Sequence, residues 1–375
     1  AEFGEVLVHG LAIRPGKPAI LGIIDNKPVI GVPGYPVSAG LVFNLFARPV
    51  LFRKQGLLEP PEEELECRIS RKVPSPMGVD EFLYVNVSRT GPDFVAYPLS
   101  RGAGISTSLV KADGVLQIPR GQEGLDAGAP CTIRLSTPRR ILENTLTSIG
   151  SHDLVMDLWA DFLIQRSLRL VSTNAGSMGG VMALKKGETH LSGIHLLDAD
   201  SGDYNIHFLH RFVSDQNWLL LHLVKRQQGL IVAPGNPLGL QTIHDLPRDG
   251  IRYVNRQTGA GTRILLDYLL KKEKLDPAHI NGYNREEYTH LAVAAAVKNG
   301  AADAGLGIFA AARALELDFV PLIEEEYDLC ILPDLLPPGV LEILLETLQS
   351  EEFRREVLAC GGYDPARSGT IKAQR

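Results

Sequence analysis

From about residue 141 the sequence repeats one pattern: a short apolar run, a polar loop rich in Ser, Thr, Asn or Gly, then a segment with helical period. TLTSIGSH leads into DLVMDLWADFLIQ, where Leu154, Val155, Leu158, Trp159, Phe162 and Leu163 share one helical face. LRLVSTNAGS leads in the same way into MGGVMALKKG, and LSGIHLLD reads as a further strand. Alternation of this kind predicts mostly parallel sheets covered by helices. LIVAPGNPLGL then reads as a strand leaving through a Pro and Gly turn, and IRYVN starts a second α/β set, so the reset at APGNP predicts two lobes. The predicted two-lobed domain covers 141–350. Residues 351–375, ending in GGYDPARSGTIKAQR, are expected to be a polar C-terminal tail with little power to pack.

The first 140 residues read differently. Residues 1–55 carry short strands, EVLVHGLAI and KPVIGVPG, then a helix from VSAGLVFNLFARPVLF, a fragment of an α/β unit. Residues 60–137 alternate β-prone runs such as FLYVNVS, FVAYPL, GVLQIP and CTIRLS with Gly, Pro and Asp turns, which predicts a small β-barrel or sandwich. The fold class is therefore α/β plus all-β, and 375 residues suit two or three domains.

Composition narrows the partners. Hydrophobic residues at 45% and charged residues at 22% are globular values, and no apolar run reaches the ~18 residues of a membrane span. A formal charge of -6 argues against a broad nucleic-acid footprint, so any anion site has to be built locally. Cys67, Cys131, Cys330 and Cys360 lie far apart without CxxC spacing, and AEFGEVLVHG lacks the pattern of a signal peptide. A cytoplasmic setting is the expectation.

In open parallel sheets, ligands sit beyond the carboxyl ends of strands, where loops meet helix N-termini. Three loops fit. SIGSHD offers Ser148, Ser151 and His152; STNAGS offers Ser172, Thr173, Asn174 and Ser177; NRQTGAGTR offers Asn255, Arg256, Thr258, Gly259, Gly261, Thr262 and Arg263. Hydroxyls and arginines donate to an oxyanion, and glycines let the backbone approach it. The competing explanation is that these Ser and Thr residues only cap helices, worth ~1 kcal/mol each. TGAGT is no dinucleotide fingerprint, because the third glycine is missing.

His195, His207 and His210 show no convincing metal spacing, so no metal site is expected, and NIHFLHRF is expected to contribute strand residues. His152 adjoins Ser151 but points away from it at a helix start, so no triad follows from sequence. LAVAAAVKNGAADAGLGI reads as a packed helix ending at Gly300 and then a strand, with Asp303 reaching the cleft or closing the turn.

Residues 145–345 resemble the periplasmic-binding-protein-like domain related to molybdate and tungstate binding proteins, through VAPGNPLGLQTIHDL, YVNRQTGAGTRILLD, HLAVAAAVKNGAADAGLGI and EEEYDLCI in that order. The resemblance implies two hinged α/β lobes, with Ser148, Ser151, Thr173, Ser177, Thr258 and Arg263 near the cleft. It brings Tyr327 to that cleft from the returning segment.

HGLAIRPGKPAILG followed by KPVIGVPGYPVSAGLVFNLFARPVL resembles the end of the third domain of MoeA, the molybdopterin molybdenumtransferase family. YPLSRGAGISTSLVKADGVLQIPRGQEGLDAGAPCTIRL resembles that family's C-terminal β-barrel. The resemblance makes Pro33, Gly34, Tyr35, Pro36 and Ser38 a pterin or nucleotide loop, with Tyr35 standing where the family usually has Asn. In residue terms the prolines fix a sharp turn and Ser38 is expected to cap the helix.

The family places an acidic, Gly-rich active-site segment and two further domains upstream, so either these residues are the C-terminal piece of a longer protein or the chain has lost catalysis; the former is the expectation, with this piece inactive alone. In the whole protein the resemblance implies insertion of molybdate into adenylated molybdopterin with release of the nucleotide. Mg2+ would be used only with the upstream domains, and a homodimer is implied. The expected role is molybdenum cofactor (molybdopterin) biosynthesis, with molybdate or tungstate held by the two-lobed domain. The alternatives are a sensor for an organic ligand such as a pterin precursor, and an interaction module whose lobes have collapsed onto each other.

Overall fold

The computed structural model describes residues 3–102, 106–198 and 202–375. The chain divides into two compact units, Ala1–Thr145 and Leu146–Arg375.

In the first unit, β1 (Glu5–His9), β2 (Ile13–Arg14), β3 (Ile20–Ile24) and β4 (Lys27–Gly31) lead to α1 (Pro36–Val42) and α2 (Arg48–Lys54). The single helix expected from VSAGLVFNLF is interrupted by a π-helical turn at 43–47, just before Pro49, whose missing N–H removes an intrahelical bond. Ser38 does not cap α1: Tyr35 is the N-cap without a side-chain bond, and Pro36, with no N–H to satisfy, opens the helix.

Next come β5 (Glu64–Ile69), β6 (Val73–Pro74), β7 (Asp80–Thr90), β8 (Asp93–Pro98), α3 (Ser106–Lys111), β9 (Gly114–Ile118), β10 (Gly124–Leu125), β11 (Pro130–Leu135) and α4 (Arg139–Glu143). Strands β7-β8-β5-β11-β9 pair in that order and β9 returns to β7, closing a barrel. The period-2 alternation turns Leu65, Cys67 and Ile69 of β5 inward to meet Val85, Leu116 and Ile133.

The second unit runs β12 (Thr145–Gly150), α5 (Leu154–Gln165), β13 (Arg169–Asn174), α6 (Gly176–Lys185), β14 (Leu191–Ile194), α7 (Ile206–Phe212) and β15 (Leu219–Val232). It continues through β16 (Tyr253–Arg256), α8 (Gly261–Lys272), β17 (Glu286–Glu287), α9 (His290–Lys298), β18 (Ala304–Ile308), α10 (Phe309–Ala314) and β19 (Asp318–Ile331). It ends with α11 (Val340–Gln349), α12 (Glu351–Cys360), β20 (Tyr363–Asp364) and β21 (Thr370–Gln374).

The strand order is β13-β12-β14-β19-β15-β18-β16-β17, with β12 and β14 parallel, as are β16, β17 and β18. The two 14-residue strands β15 and β19 pair antiparallel from Leu219↔Ile331 to Val232↔Asp318 and belong to both lobes. The crossing ends at Val232, immediately before APGNP. The largest core, around Trp159, Leu223 and Phe353, continues past the crossing strands to Val254 and Val293, and a second core gathers around Tyr253, Leu266 and Leu306.

The expected mostly parallel sheet is mixed, because the two crossing strands run antiparallel to their neighbours: β19 to β14 and β15, and β15 to β18, β20 and β21. Two further sequence expectations need correction here. NIHFLHRF is the helix α7, because Asn205 adopts φ 72 and locks its side chain to Leu196 N and Asp328, turning the chain into a helix that buries Leu209. Residues 351–375 are not a loose tail. In α12, Phe353 and Val357 bury at i and i+4, Ser350 caps the helix through Phe353 N, and β20 and β21 pair with β15. Phe353 is fully buried and meets Phe162 edge-on at 5.6 Å. Phe353→Ala is expected to destabilise the unit by about 3–5 kcal/mol in urea unfolding, whereas a dispensable tail would give under ~1 kcal/mol.

Candidate functional site

The polar centre of the second unit is built on the crossing strands. Alternate strand residues share a face. Arg226 and Gln228 of β15 therefore bury on the same side, as do Glu325 and Tyr327 of β19, and Arg226 stands directly opposite Glu325. Arg226 Nε donates to Glu325 Oε1, and its Nη1 donates to Asp153 Oδ2. Asp153 is the N-cap of α5: its Oδ1 accepts from Val155 N at 2.8 Å and from the Tyr363 hydroxyl at 2.9 Å. Gln228 Nε2 donates to Glu325 Oε1 at 2.5 Å and to Thr262 Oγ1 at 3.0 Å. The Arg226 guanidinium lies 4.4 Å from the centre of the Tyr327 ring, whose hydroxyl donates to Ser151 O at 2.6 Å.

Glu325 continues into a relay. Its Oε2 lies 3.1 Å from His195 Nδ1, and His195 Nε2 lies 2.9 Å from Ser151 Oγ. Burial works against the Glu325 charge, but Arg226 and His195 outweigh it and hold the carboxyl down at about 2. Burial pushes His195 below its ordinary value, with Glu325 opposing. A neutral imidazole beside an ionised carboxylate carries its proton on Nδ1, so Nε2 accepts the Ser151 hydroxyl proton. This order of groups also serves nucleophile activation. Here Arg226 neutralises the carboxylate and Ser151 is buried.

The first turns of four helices each bring a side chain to this network: Asp153 at α5, Ser177 at α6, Thr262 at α8 and His290 at α9. Ser177 Oγ accepts from His195 N at 3.2 Å. Glycine is required at 261, since a Cβ there would overlap the His195 ring. Across the cleft, Asn174 Nδ2 and Arg256 Nη2 both donate to Tyr288 O, at 2.7 and 3.1 Å.

Arg256 is the least compensated member. It is buried, and its Nε contacts Gln257 Oε1 and Glu287 O, both at 3.3 Å. None of its hydrogen-bond partners among the described residues is a carboxylate, and Nη1 has no partner among them. Arg226 Nη2, Gln228 Oε1 and both His290 nitrogens share that condition. Burial, reinforced by Arg226 and partly offset by Glu325, pushes Arg256 down to about 10. Burial, then Arg256, Arg226, His195 and His152, holds His290 well below its ordinary value.

Among the residues singled out from sequence, Ser151, Ser177, Arg256, Thr262, Gly261 and Tyr327 come together here. Ser148 is buried inside β12 in register with Leu191. Asn255 turns to Tyr283 O and to the amide of Arg256. His152 meets Asp157 at 3.1 Å, and Thr173 is exposed on β13. Thr258 donates from both N and Oγ1 to Glu286 Oε1, while Gly259 forms the turn with φ 85. Arg263 binds Asp267 at 3.1 Å and stacks 4.1 Å from the Tyr283 ring centre, on the outer side of the α8 start. Asp303 closes the turn by binding Arg252 at 2.6 Å.

The residues that sequence reasoning missed are Asp153, His195, Arg226, Gln228, His290 and Glu325. A usable signal exists for three of them: Arg226 and Gln228 lie in the polar run KRQQ of one strand and Glu325 in the run EEE of the other, each interrupting a largely apolar β segment.

A second polar cluster, His222, Glu326 and Asp328, has metal-like spacing, but the Lys372 ammonium binds both carboxylates and takes the cation's place. In the first unit, a cavity of about 640 Å³ is lined by Pro33, Tyr35 and Ser38 together with Arg14, Lys17 and Arg101. Gly34 and Pro36 complete that turn. Glu81, buried in the cavity wall, lies 3.7 Å from Arg101 and 3.8 Å from Arg14. Among the described residues, no helix is long and apolar enough to cross a membrane.

Comparison with known proteins agrees with both halves. The family model described as PBP superfamily domain matches residues 161–349, and that of the MoeA C-terminal region (domain IV) matches 66–135. The uncharacterized protein YvgK of Bacillus subtilis is 35% identical over 227 residues, 60% of this chain and 72% of YvgK. The putative molybdopterin biosynthesis protein MJ0666 of Methanocaldococcus jannaschii is 36% identical over 128 residues, 34% of this chain and 29% of its own length. A solved molybdopterin biosynthesis MoeA protein from Pyrococcus horikosii is 41% identical, covering 36% of this chain and 32% of its own, with a TM-score of 0.31. The chain thus spans under a third of the length of these two molybdopterin-biosynthesis relatives. With half of its residues matched by one family model and the barrel by another, this chain belongs to the PBP superfamily and joins that domain to a MoeA-like C-terminal region.

Proposed function

We propose that the second unit binds a small tetrahedral oxyanion, molybdate or tungstate, in the cleft between its lobes, and that the chain serves cytoplasmic assembly of the molybdenum cofactor. The observation that carries this is Arg256, a buried guanidinium with an unmet N–H and no carboxylate among its bonded partners, beside Arg226, whose Nη2 is also unmet although its other nitrogens bind Glu325 and Asp153. A buried cation needs a counter-charge. An oxyanion supplies one, and its oxygens accept from planar guanidinium donors. The unmet guanidinium N–H groups are donors that suit an oxyanion, and the Tyr327 ring already lies under Arg226; the unmet Gln228 Oε1 is an acceptor that a bare oxyanion does not satisfy.

The barrel and MJ0666, a putative molybdopterin biosynthesis protein, support the link to that cofactor. The Pro33 to Ser38 turn and its cavity are assigned to the pterin or nucleotide. Glu325 and Asp153 are engaged by Arg226, so the cleft holds its ligand and does not transform it.

Calorimetric titration and thermal melting with molybdate, tungstate, sulfate and phosphate test this. At ~100 times its dissociation constant the ligand is expected to stabilise the unit by ~2.7 kcal/mol. For a unit of this size that raises Tm by about 5–11 °C. Absence of both heat and a melting shift with molybdate and with tungstate would remove the assignment.

A further inference from the structure

His290 is the group in the cleft whose bonding is least complete. It follows the N-cap Thr289, whose hydroxyl accepts from Ala292 N at 3.0 Å, and it opens α9. It is 6% exposed, and neither ring nitrogen has a partner among the described residues. A neutral imidazole presents one N–H and one lone pair, so a donor and an acceptor are both unmet.

The surroundings are cationic or protonatable. Arg256 acts on it from β16, Arg226 from β15, His195 from the segment after β14 and His152 from that after β12. The carboxylates of neighbouring elements are engaged elsewhere: Glu325 of β19 by Arg226, Gln228 and His195, and Asp157 of α5 by His152. On β17, Glu286 holds Thr258 and Arg263, while Glu287 receives Arg256 through its carbonyl. β18 (AGLGI) carries no titratable group, and Gly307 on it faces the imidazole. Arg313 of α10 binds Ala359 O and Lys298 of α9 binds Leu315 O.

Charge then decides what must happen on binding. Two buried guanidinium groups, Arg226 and Arg256, are matched in number by two buried carboxylates, Asp153 and Glu325. With both imidazoles neutral the set carries no net charge, so a dianion arrives without a counter-charge unless an imidazole takes up a proton. His195 already uses Nε2 for Ser151 and Nδ1 for Glu325, whereas His290 has both nitrogens unpartnered.

We infer that His290 is a ligand-binding residue that joins the complex as imidazolium, so that a divalent oxyanion enters the cleft together with one proton. This rests on the oxyanion function proposed above. Binding coupled to proton uptake tightens as pH falls.

Calorimetric titration of the whole chain with sodium molybdate, in buffers of different ionisation enthalpy at pH 7, reads the coupled proton. The expected slope is about 0.5 to 1 proton taken up, with affinity falling roughly tenfold or more from pH 6 to pH 8. His290→Gln should bind more weakly and lose both the slope and the pH dependence; His290→Asn is a second variant should the first not fold, and the wild-type slope stands by itself. Heat with zero slope overturns the proton coupling while leaving oxyanion binding intact. A slope that survives in His290→Gln but vanishes in His195→Gln moves the proton to the Ser151 relay and overturns the assignment. Absence of both heat and a melting shift, with molybdate and with tungstate, overturns both proposals.

Discussion

Arg256→Met is expected to weaken molybdate binding by about 30-fold to several thousand-fold, the 2–5 kcal/mol typical of truncating one side of a buried charge pair. The same substitution is expected to leave the ligand-free protein as stable as before, or slightly more so. Methionine fills much of the volume, and the cation it removes is buried without a bonded carboxylate. Opposite signs for affinity and stability mark a binding residue, since a merely structural arginine would lose both together. Arg263→Met is the internal control: its guanidinium is occupied by Asp267, Glu286 and the Tyr283 ring, so affinity should change by less than about threefold. Titration calorimetry and urea unfolding of the two variants give the comparison. A tight Arg256→Met complex would move the anion elsewhere.

Glu325→Gln acts on the other side of the balance. It leaves Arg226 with Asp153 as its remaining carboxylate partner and takes the orienting charge from His195. Removing one partner of a buried ion pair costs about 3–5 kcal/mol. For a unit of this size, that lowers Tm by roughly 6–20 °C. The folded carboxyl sits at about 2, below its ordinary 4.5, so its stabilisation is complete above the ordinary value and disappears as pH falls through the folded one.

The gap between wild type and variant should therefore stay constant from about pH 7 to about pH 5 and narrow below about 4.5. The buried histidines act earlier. Their folded values are depressed, so the unfolded chain gains protons first, and stability already begins to fall as pH drops below about 6.5. Melting curves across pH 4 to 8 separate the two effects. A gap that widens in acid would mean that Glu325 is not the ionised partner of Arg226.

The architecture was legible because it rests on periodicity. The alternating strand, loop and helix pattern, and the reset at APGNP, follow from which side chains must leave water, and the structure places the lobe crossing immediately before that reset. The barrel was legible for the same reason, with β5 alternating exposed and buried residues without exception. The C-terminal segment was misread because only Phe353 and Val357 give it a fully buried apolar anchor, while polar groups bury through hydrogen bonds, Ser368 to the carbonyl of Leu223 and Tyr363 to Asp153.

The candidate site was half legible. Loop hydroxyls and Arg256 stand in a recognisable context after a strand. His195, 44 residues from the serine it contacts, and Glu325, 130 residues from His195, are joined only by the sheet. Arg263 illustrates the opposite error: position in a glycine loop says little about direction, and one helical step turned it toward Asp267.

The crossing strands also constrain the order in which a ribosome can deliver this fold. The second lobe is one continuous stretch, whereas the first takes strands from both sides of it in sequence. Strand β15 emerges roughly a hundred residues before the β19 that covers most of its length. At ~5–20 residues per second, that edge waits about 5–20 s for its partner. Until then fourteen residues, nearly all destined for the interior, present unpaired backbone to other nascent chains. Lys225, Arg226, Gln227 and Gln228 break that apolar strand in the middle, Arg226 and Gln228 later assembling the cleft, and a polar break of this kind disfavours mispairing of an exposed edge.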